Sequence, residues 1–373
     1  MDTRIFRWLA LALALALLIP SAIFGQSSGA ALRGIVTDSS SAAVPGVTVT
    51  ATNTQTGFQR VAVTGADGSY SFPSLPVGTY KVTTELAGFA TVTTENVGLN
   101  VATSRELNIA LRQAKASESI TVTAEAPLVA TTPAIGTVVS QKELEGLPLN
   151  GRQFANLASL APGTQLSVNA DPTKPGQLTV ALNGGSGRNV NFIIDGGDNT
   201  DDTIGGALQN FNLEAVQEFK IQTMQYKAEF GRSSGGVLTV ATKTGTNEFL
   251  GSVYGFFRDK SLNEKTTTEK LTGAPKGDYK RSQYGASIGG PIVHDRVHFF
   301  ATYEKTARDT TKTIDTAGVF PDLDGTAVPI PFRDQLGTAK VSWNATAKQL
   351  VQVRYGYQKN TDIYGQSPIY LPS

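Results

Sequence analysis

The sequence predicts a mainly β protein in three folded parts. These are a small β-sandwich, an α+β domain, and the first strands of a larger antiparallel sheet. Three observations carry that expectation. Apolar and polar residues alternate with period two in short runs between 30 and 113. The same alternation returns after 249 in longer runs of about ten residues. The connections between those later runs are alternately long and short.

Composition narrows the function classes. The 373 residues carry 32 Lys+Arg against 31 Asp+Glu, a net charge of +1, so no basic excess is available for phosphate neutralisation and no nucleic-acid partner is expected. The chain has no cysteine, which excludes thiol nucleophiles, Cys-ligated zinc, iron–sulfur clusters and disulfides. Only 17% of residues are charged and 38 are glycine.

Residues 1–25 have basic Arg4 and Arg7, an apolar stretch from Trp8 to Ile19, then Pro20, Ser21 and Ala22. That is the pattern of a secretory signal peptide, cleaved after Gly25 or after Ala22. The apolar stretch is shorter than the roughly 20 residues a spanning helix needs. No other segment is long and apolar enough, so any membrane insertion must use strands.

Residues 30–113 offer strands at Leu32–Thr37, Val47–Asn53, Gln59–Thr64, Ser69–Phe72, Gly78–Thr84, Ala90–Val97 and Arg105–Leu111. Val47, Val49 and Ala51 face one way; Thr48, Thr50 and Thr52 face the other. Seven short strands with turns at Asp67-Gly68 and Pro76–Gly78 predict a sandwich. The series Gly34–Asp38, Pro45–Val49, Thr64–Phe72, Leu75–Val82 and Ala87-Gly88-Phe89 resembles the carboxypeptidase regulatory-like domain. The resemblance implies a transthyretin-like sandwich and no peptidase activity. Tyr70, Phe72, Tyr80 and Phe89 are expected in its core, with an aromatic carbohydrate platform as the alternative.

Residues 114–125 read as a linker holding a short alternating segment: Ser119, Ile120, Thr121, Val122, Thr123 and Ala124. It resembles the TonB box, the peptide at which outer-membrane transporters are engaged by TonB. Such docking works by β-augmentation, in which backbone groups add a strand to a partner's sheet. The alternative is an ordinary connecting strand packed on a neighbouring domain.

Residues 126–248 mix short helical patterns at Gln141–Pro148 and Gly151–Leu160 with strands at Gln177–Leu182, Val190–Ile194 and Val237–Thr242, and a helix expected at Leu213–Phe219. The series Leu182–Gly185, Asn191–Gly196, Leu213–Phe219 and Tyr226–Gly245 resembles the plug of TonB-dependent transporters. Pro148–Arg152 and Glu229–Arg232 are similar to the Oar-like branch. On that resemblance Asn183, Gly184, Asp195, Gly196, Glu229, Gly231 and Arg232 form the plug motif, although many relatives carry an arginine before the first glycine pair.

Catalytic and metal readings are weaker. Gly231–Gly235 matches the G-x-S-x-G elbow, but that chemistry needs a histidine base, and the two histidines, His294 and His298, fall in another region. Asp198, Asn199, Asp201 and Asp202 form an acidic loop after Asp195, a candidate contact for substrate or an ion. It is no EF-hand, since the position that requires Glu is Gly206. No catalytic residue, metal ligand or cofactor is assigned.

From 249 to 373 the runs Gln283–Gly290, Arg296–Glu304, Gly337–Asn344 and Val351–Gln358 alternate cleanly, while Phe249–Arg258 has aromatics at both parities. Long connections (259–282 and 305–333) alternate with short ones (291–295 and 345–348). That rhythm belongs to an outer-membrane barrel with outer loops and periplasmic turns. Five strands against the roughly 22 of a plugged transporter barrel leave two unpaired edges, so the expectation is the N-terminal part of a longer protein, cut in an outer loop.

The resemblances together imply a TonB-dependent transporter in the outer membrane of a Gram-negative-type bacterium, powered by a TonB–ExbB–ExbD complex, surrounded by lipid and importing an unidentified substrate. The alternative is a secreted or surface-attached adhesion protein built on the sandwich.

Overall fold

The computed structural model describes residues 29–114, 119–123, 135–146, 152, 158–168, 178–203, 205–226, 230–265, 267–273, 276–314, 319–323, 326–347 and 349–362. The expected signal peptide, Ala124 and Glu229 lie outside them.

The chain begins with β1 (Ala30–Thr37), β2 (Thr48–Asn53), β3 (Gln59–Val63), β4 (Ser69–Leu75), β5 (Gly78–Glu85), β6 (Thr91–Leu99), β7 (Ser104–Glu106) and β8 (Ile109–Ala110). One sheet is ordered β4-β1-β7, with β8 also on β1; the other runs β3-β2-β5-β6 and ends on β9 (Ser119–Thr123). The period-two pattern sets which residues meet between the sheets: Val47, Val49, Ala51, Tyr80 and Val82 are fully buried. Tyr70 and Phe72 join them edge-to-face at 5.9 Å, and Phe89 packs at the margin, so these aromatics are core residues.

The single expected strand at Arg105–Leu111 is two short ones. Asn108 Oδ1 accepts the Ile35 N–H at 2.8 Å, so a side chain replaces the backbone partner there and the ladder breaks. The backbones come close beside it: a Cβ on Gly34 would lie 1.8 Å from the Leu107 carbonyl oxygen.

The middle domain starts with β10 (Ile135–Val139) and a short helix, Gln141–Gly146. At its start the Ser140 N–H and hydroxyl both donate to the Glu143 carboxylate, the glutamate half of a capping box. Next come β11 (Thr164–Val168), β12 (Leu178–Leu182), β13 (Val190–Ile194), β14 (Gly197–Asp198), β15 (Val216–Met224) and β16 (Gly236–Thr242). The five-stranded sheet is ordered β10-β15-β16-β13-β14, with a separate β11-β12 hairpin. The helix expected at Leu213–Phe219 is instead one 3-10 turn, Leu213–Ala215, running into β15. β15 pairs on both sides, with β10 and β16, and this pairing outweighs a weak local helical pattern.

The third part is a sheet of β17 (Leu250–Asp259), β18 (Tyr279–Val293), β19 (Val297–Thr313), β20 (Ala327–Pro329), β21 (Phe332–Thr346) and β22 (Gln349–Asp362). Its order is β17-β18-β19-β21-β22, all antiparallel, with β20 added beside β19. It is an open arc with β17 and β22 at its edges. The turns at His294–Arg296 and after Thr346 are short, and the connections across 260–278 and 314–331 are long. β18, β19, β21 and β22 run 14 to 17 residues, longer than expected, because polar hairpin ends keep pairing beyond the apolar band. Lys280 opposite Asp309 and Arg281 opposite Arg308 are such ends.

Burial on this sheet is inverted relative to a water-soluble protein. The convex face exposes Tyr284, Ile288, Val341, Trp343, Val353 and Tyr355. The concave face buries Gln283, His298, Thr302, Glu304, Lys340 and Ser342. An apolar outer face over a polar inner one is what lipid outside and protein or water inside require.

Candidate functional site: the domain held in the barrel arc

The concave face wraps the middle domain, and polar residues from both sides meet there. Asp195 stands at the tight β13–β14 turn, with φ of 49° followed by Gly196 at 83°. Its carboxylate accepts the Thr242 N–H at 2.9 Å and the Thr242 hydroxyl at 2.5 Å, which fixes it on its own domain. The same carboxylate faces the barrel wall, 3.1 Å from Lys340 Nζ and 3.1 Å from Arg354 Nε. Lys340 also donates to the Thr242 carbonyl, and Arg354 lies over the Phe211 ring. A half-buried carboxylate between two cations ties the domain to the wall electrostatically.

Two more clusters flank it. Arg152 donates to Glu214 at 2.7 Å and stacks on Tyr254 and Phe256, 4.7 and 4.6 Å from their centroids. Tyr254 donates to Glu304, which also accepts from Gln283. Nearer the long connections, Asn212 donates to Thr302 at 2.7 Å and the Asn210 N–H donates to Gln358.

The described residues of the expected motif other than Asp195 and Gly196 lie in two further turns. Asn183 and Gly184 make a positive-φ turn in which Asn183 Nδ2 donates to the Thr223 carbonyl. Gly231 and Arg232 form another, where Arg232 reaches Asp198 at 2.7 Å and Asp202 at 2.5 Å. The acidic loop therefore already holds a cation of its own chain. These carboxylates, together with hydrogen bonding, hold the Arg232 guanidinium pKa above its usual value. Asn199 is buried and bonds Gln209 at both ends of its amide, and Asp201 accepts the Thr203 N–H. Among the described residues no group of three or more His, Asp or Glu could hold a metal ion.

Ser233, the centre of the elbow-like motif, lies 2.7 Å from the Asn189 carbonyl and accepts the Gly236 N–H, so it pins a turn. His294 is in a short turn, and His298 bonds Asn247 at 2.9 Å.

The sandwich packs on the short-turn side of the arc. Arg60 donates to the Ala347 carbonyl, Asn247 to the Gln55 carbonyl, and Leu350 packs on the sandwich core. On the middle domain Lys220 donates to the Ala102 carbonyl at 2.8 Å, and the Val101 N–H donates to Glu218. Burial pushes the Glu218 carboxyl up to about 7, against the pull of Val101 N–H, Arg105 and Lys220. A cleft between sandwich and wall is lined by Phe58, Arg60, Asp195, Lys340, Leu350 and Gln352.

Sequence reasoning missed the partners rather than the motif. Lys340 and Arg354 were legible only as polar-face residues of strands, and nothing local marks Glu218 or Lys220 as an interface. The segment 119–123 is β9, paired in parallel with β6 of the sandwich.

A small sandwich joined to an α+β domain and an inverted antiparallel sheet defines an outer-membrane barrel protein. Residues 31–112 match the carboxypeptidase regulatory-like domain, and residues 241–327 match an outer membrane beta barrel domain. The chain is similar to the TonB-dependent transporter Oar of Myxococcus xanthus, at 29% identity over 314 residues. That match takes in 80% of this chain and 29% of the relative, so the chain spans about three-tenths of that protein's length. Among solved structures, the outer membrane transporter YddB of Escherichia coli aligns at 16% identity and a TM-score of 0.47, over 63% of this chain and 35% of that one. The siderophore receptor PirA of Acinetobacter baumannii aligns at 19% and 0.43, over 62% and 32%.

Proposed function

We propose that the chain is the N-terminal part of a TonB-dependent outer-membrane transporter that imports a substrate yet to be identified. The middle domain acts as its plug, and residues 119–124 act as the docking segment for TonB, driven by ExbB–ExbD. The observation that carries this reading is the polar wall of the arc, whose buried Lys340 and half-buried Arg354 converge on Asp195 of the middle domain. A structural sheet in water would place apolar residues at such a contact. The homology to Oar supports the same conclusion.

The work proposed for this chain is binding and gating, with no covalent step. In support, its relatives are transporters or receptors, and the Ser233 hydroxyl is engaged in a turn. The loop through Asp198, Asn199, Asp201 and Asp202 is the proposed substrate-side surface of the plug. Residues following it touch β22 at Gly356 and Gln358, farther from the short turns than Arg354.

The test is fractionation of the full gene product followed by uptake. The reading expects an outer-membrane protein that supports growth on one of a panel of nutrients only when tonB is intact. Equal growth with and without tonB, across a panel on which the gene itself is required, overturns it.

A further inference from the structure

β9 is the end strand of a sandwich sheet. Its five residues lie in register with β6: Thr91 with Ser119, Val92 with Ile120, Thr93 with Thr121, Thr94 with Val122 and Glu95 with Thr123. The chain leading into it is pinned as well, through Ala90 N–H to the Arg112 carbonyl and the Phe89–Gln113 bridge. The next described strand, β10, belongs to the middle domain. Ser119–Thr123, between the two domains in sequence, is therefore held by the sandwich.

Within a strand, the N–H and C=O of one residue point to the same side and those of the next point to the other. β6 uses one set of β9 backbone groups, and the other set faces outward. Among the described residues no strand covers it. Edge strands are commonly protected by charge or proline. Ser119–Thr123 has neither. The opposite end of the same sheet, β3, carries Arg60, which is tied to the barrel turn at Ala347. The β3 edge carries a charged side chain tied to the barrel, whereas the β9 edge carries no charge.

We propose that the outer edge of β9, held on the sandwich, is the surface that receives TonB's strand. The partner adds as the next strand of the sandwich sheet, and β9 is not stripped from β6. The proposal rests on the docking role assigned to residues 119–124 and specifies how that site is presented. A strand already ordered by β6 has lost its conformational entropy before the partner arrives, which favours association. It also means that a pull on β9 is shared by the β6–β9 ladder, so the sandwich moves with the docking strand.

The absence of native cysteine makes a direct test available. Thr93 and Thr121 are in register and neither is buried, so the pair T93C and T121C can be oxidised across β6 and β9 in the outer-membrane protein in detergent. The probe is the purified periplasmic domain of TonB. The expected result is a disulfide that forms readily and a TonB affinity within threefold of the reduced form. A tenfold or greater loss of affinity on oxidation means that TonB must strip the strand, and overturns the proposal alone. Failure of the two thiols to link overturns the register on which it stands. Replacing 119–123 by an equal length of Gly and Ser must abolish binding. Unchanged binding there overturns the docking reading itself and this proposal with it.

Discussion

Asp195 and Lys340 lie 145 positions apart in sequence and 3.1 Å apart in space, the first at a turn of the middle domain and the second on the wall of the arc. Arg354 closes on the other oxygen of the same carboxylate. Removing the carboxylate leaves two cations facing each other in a largely enclosed site. Asp195→Asn is expected to cost roughly 3–5 kcal/mol. Lys340→Met leaves the Asp195–Arg354 pair and should cost less. Urea titration of the folded protein, read by protease resistance of the middle domain, ranks the two. An Asp195→Asn protein as resistant as its parent would mean that the tie contributes nothing.

Arg152 is held by shape as well as charge. Its guanidinium lies against two rings and bonds Glu214. Lysine keeps the charge and loses the plane, so Arg152→Lys should destabilise by about 1–2 kcal/mol. Thermal unfolding measures it, with Arg152→Ala expected to fall further. Equal melting temperatures for the Lys variant and the parent argue against stacking.

Glu218 makes the sandwich contact pH-dependent. Its carboxyl titrates at about 7 in the folded protein against 4.5 for an ordinary Glu, chiefly because it is buried. Between those values the folded state binds more protons than the unfolded one. Stability therefore falls as pH rises from about 4.5 to about 7, and this contribution is constant above that. Glu218→Gln should flatten the slope across that window while keeping an acceptor for Val101. Denaturant midpoints at pH 5, 6, 7 and 8 test it, and an identical slope in both proteins would exclude Glu218 as its source.

Gly245 marks where the middle domain passes into the barrel. A Cβ there would stand 2.2 Å from the Phe299 carbonyl oxygen and 2.6 Å from that of Gly290. Both are backbone atoms of paired strands, so neither can yield easily. Gly245→Ala is expected to cost about 1–3 kcal/mol, the usual range for overpacking. A Gly245→Ala variant with an unchanged denaturant midpoint would show that the strands can part at no cost.

Val353 on the convex face is 65% exposed. Arginine there should weaken membrane insertion by about 2–4 kcal/mol if that face meets lipid near mid-membrane. Val353→Leu is the control. The fraction recovered in outer membranes is the readout, and equal recovery of both variants would place that face in water.

Much of the fold was readable because β-structure with one buried face writes itself as alternation. Val47, Val49 and Ala51 announced the inside of the sandwich, and Tyr284, Ala286 and Ile288 shared the outer face of β18. The short turns and long connections followed from the spacing of those runs. What escaped was set by tertiary pairing. β15 looked helical because its neighbours β10 and β16 lie about 80 residues before it and a dozen or more after it in sequence, beyond any local window. The site was half legible. Motif glycines and Asp195 stand out as a series, while the partners of Asp195 were ordinary polar-face residues until the arc closed around it.

The polar wall has one further consequence. Oily surfaces pressed together separate reluctantly, because exposing them to water is costly. Hydroxyls, amides and ammonium groups like those of Thr302, Asn212 and Lys340 can each exchange a protein partner for a water molecule. A domain leaving such a wall would find every polar contact replaceable by water. Its departure would therefore cost less than peeling an apolar domain from an apolar seat, with the Asp195 ion pairs as the firmest hold.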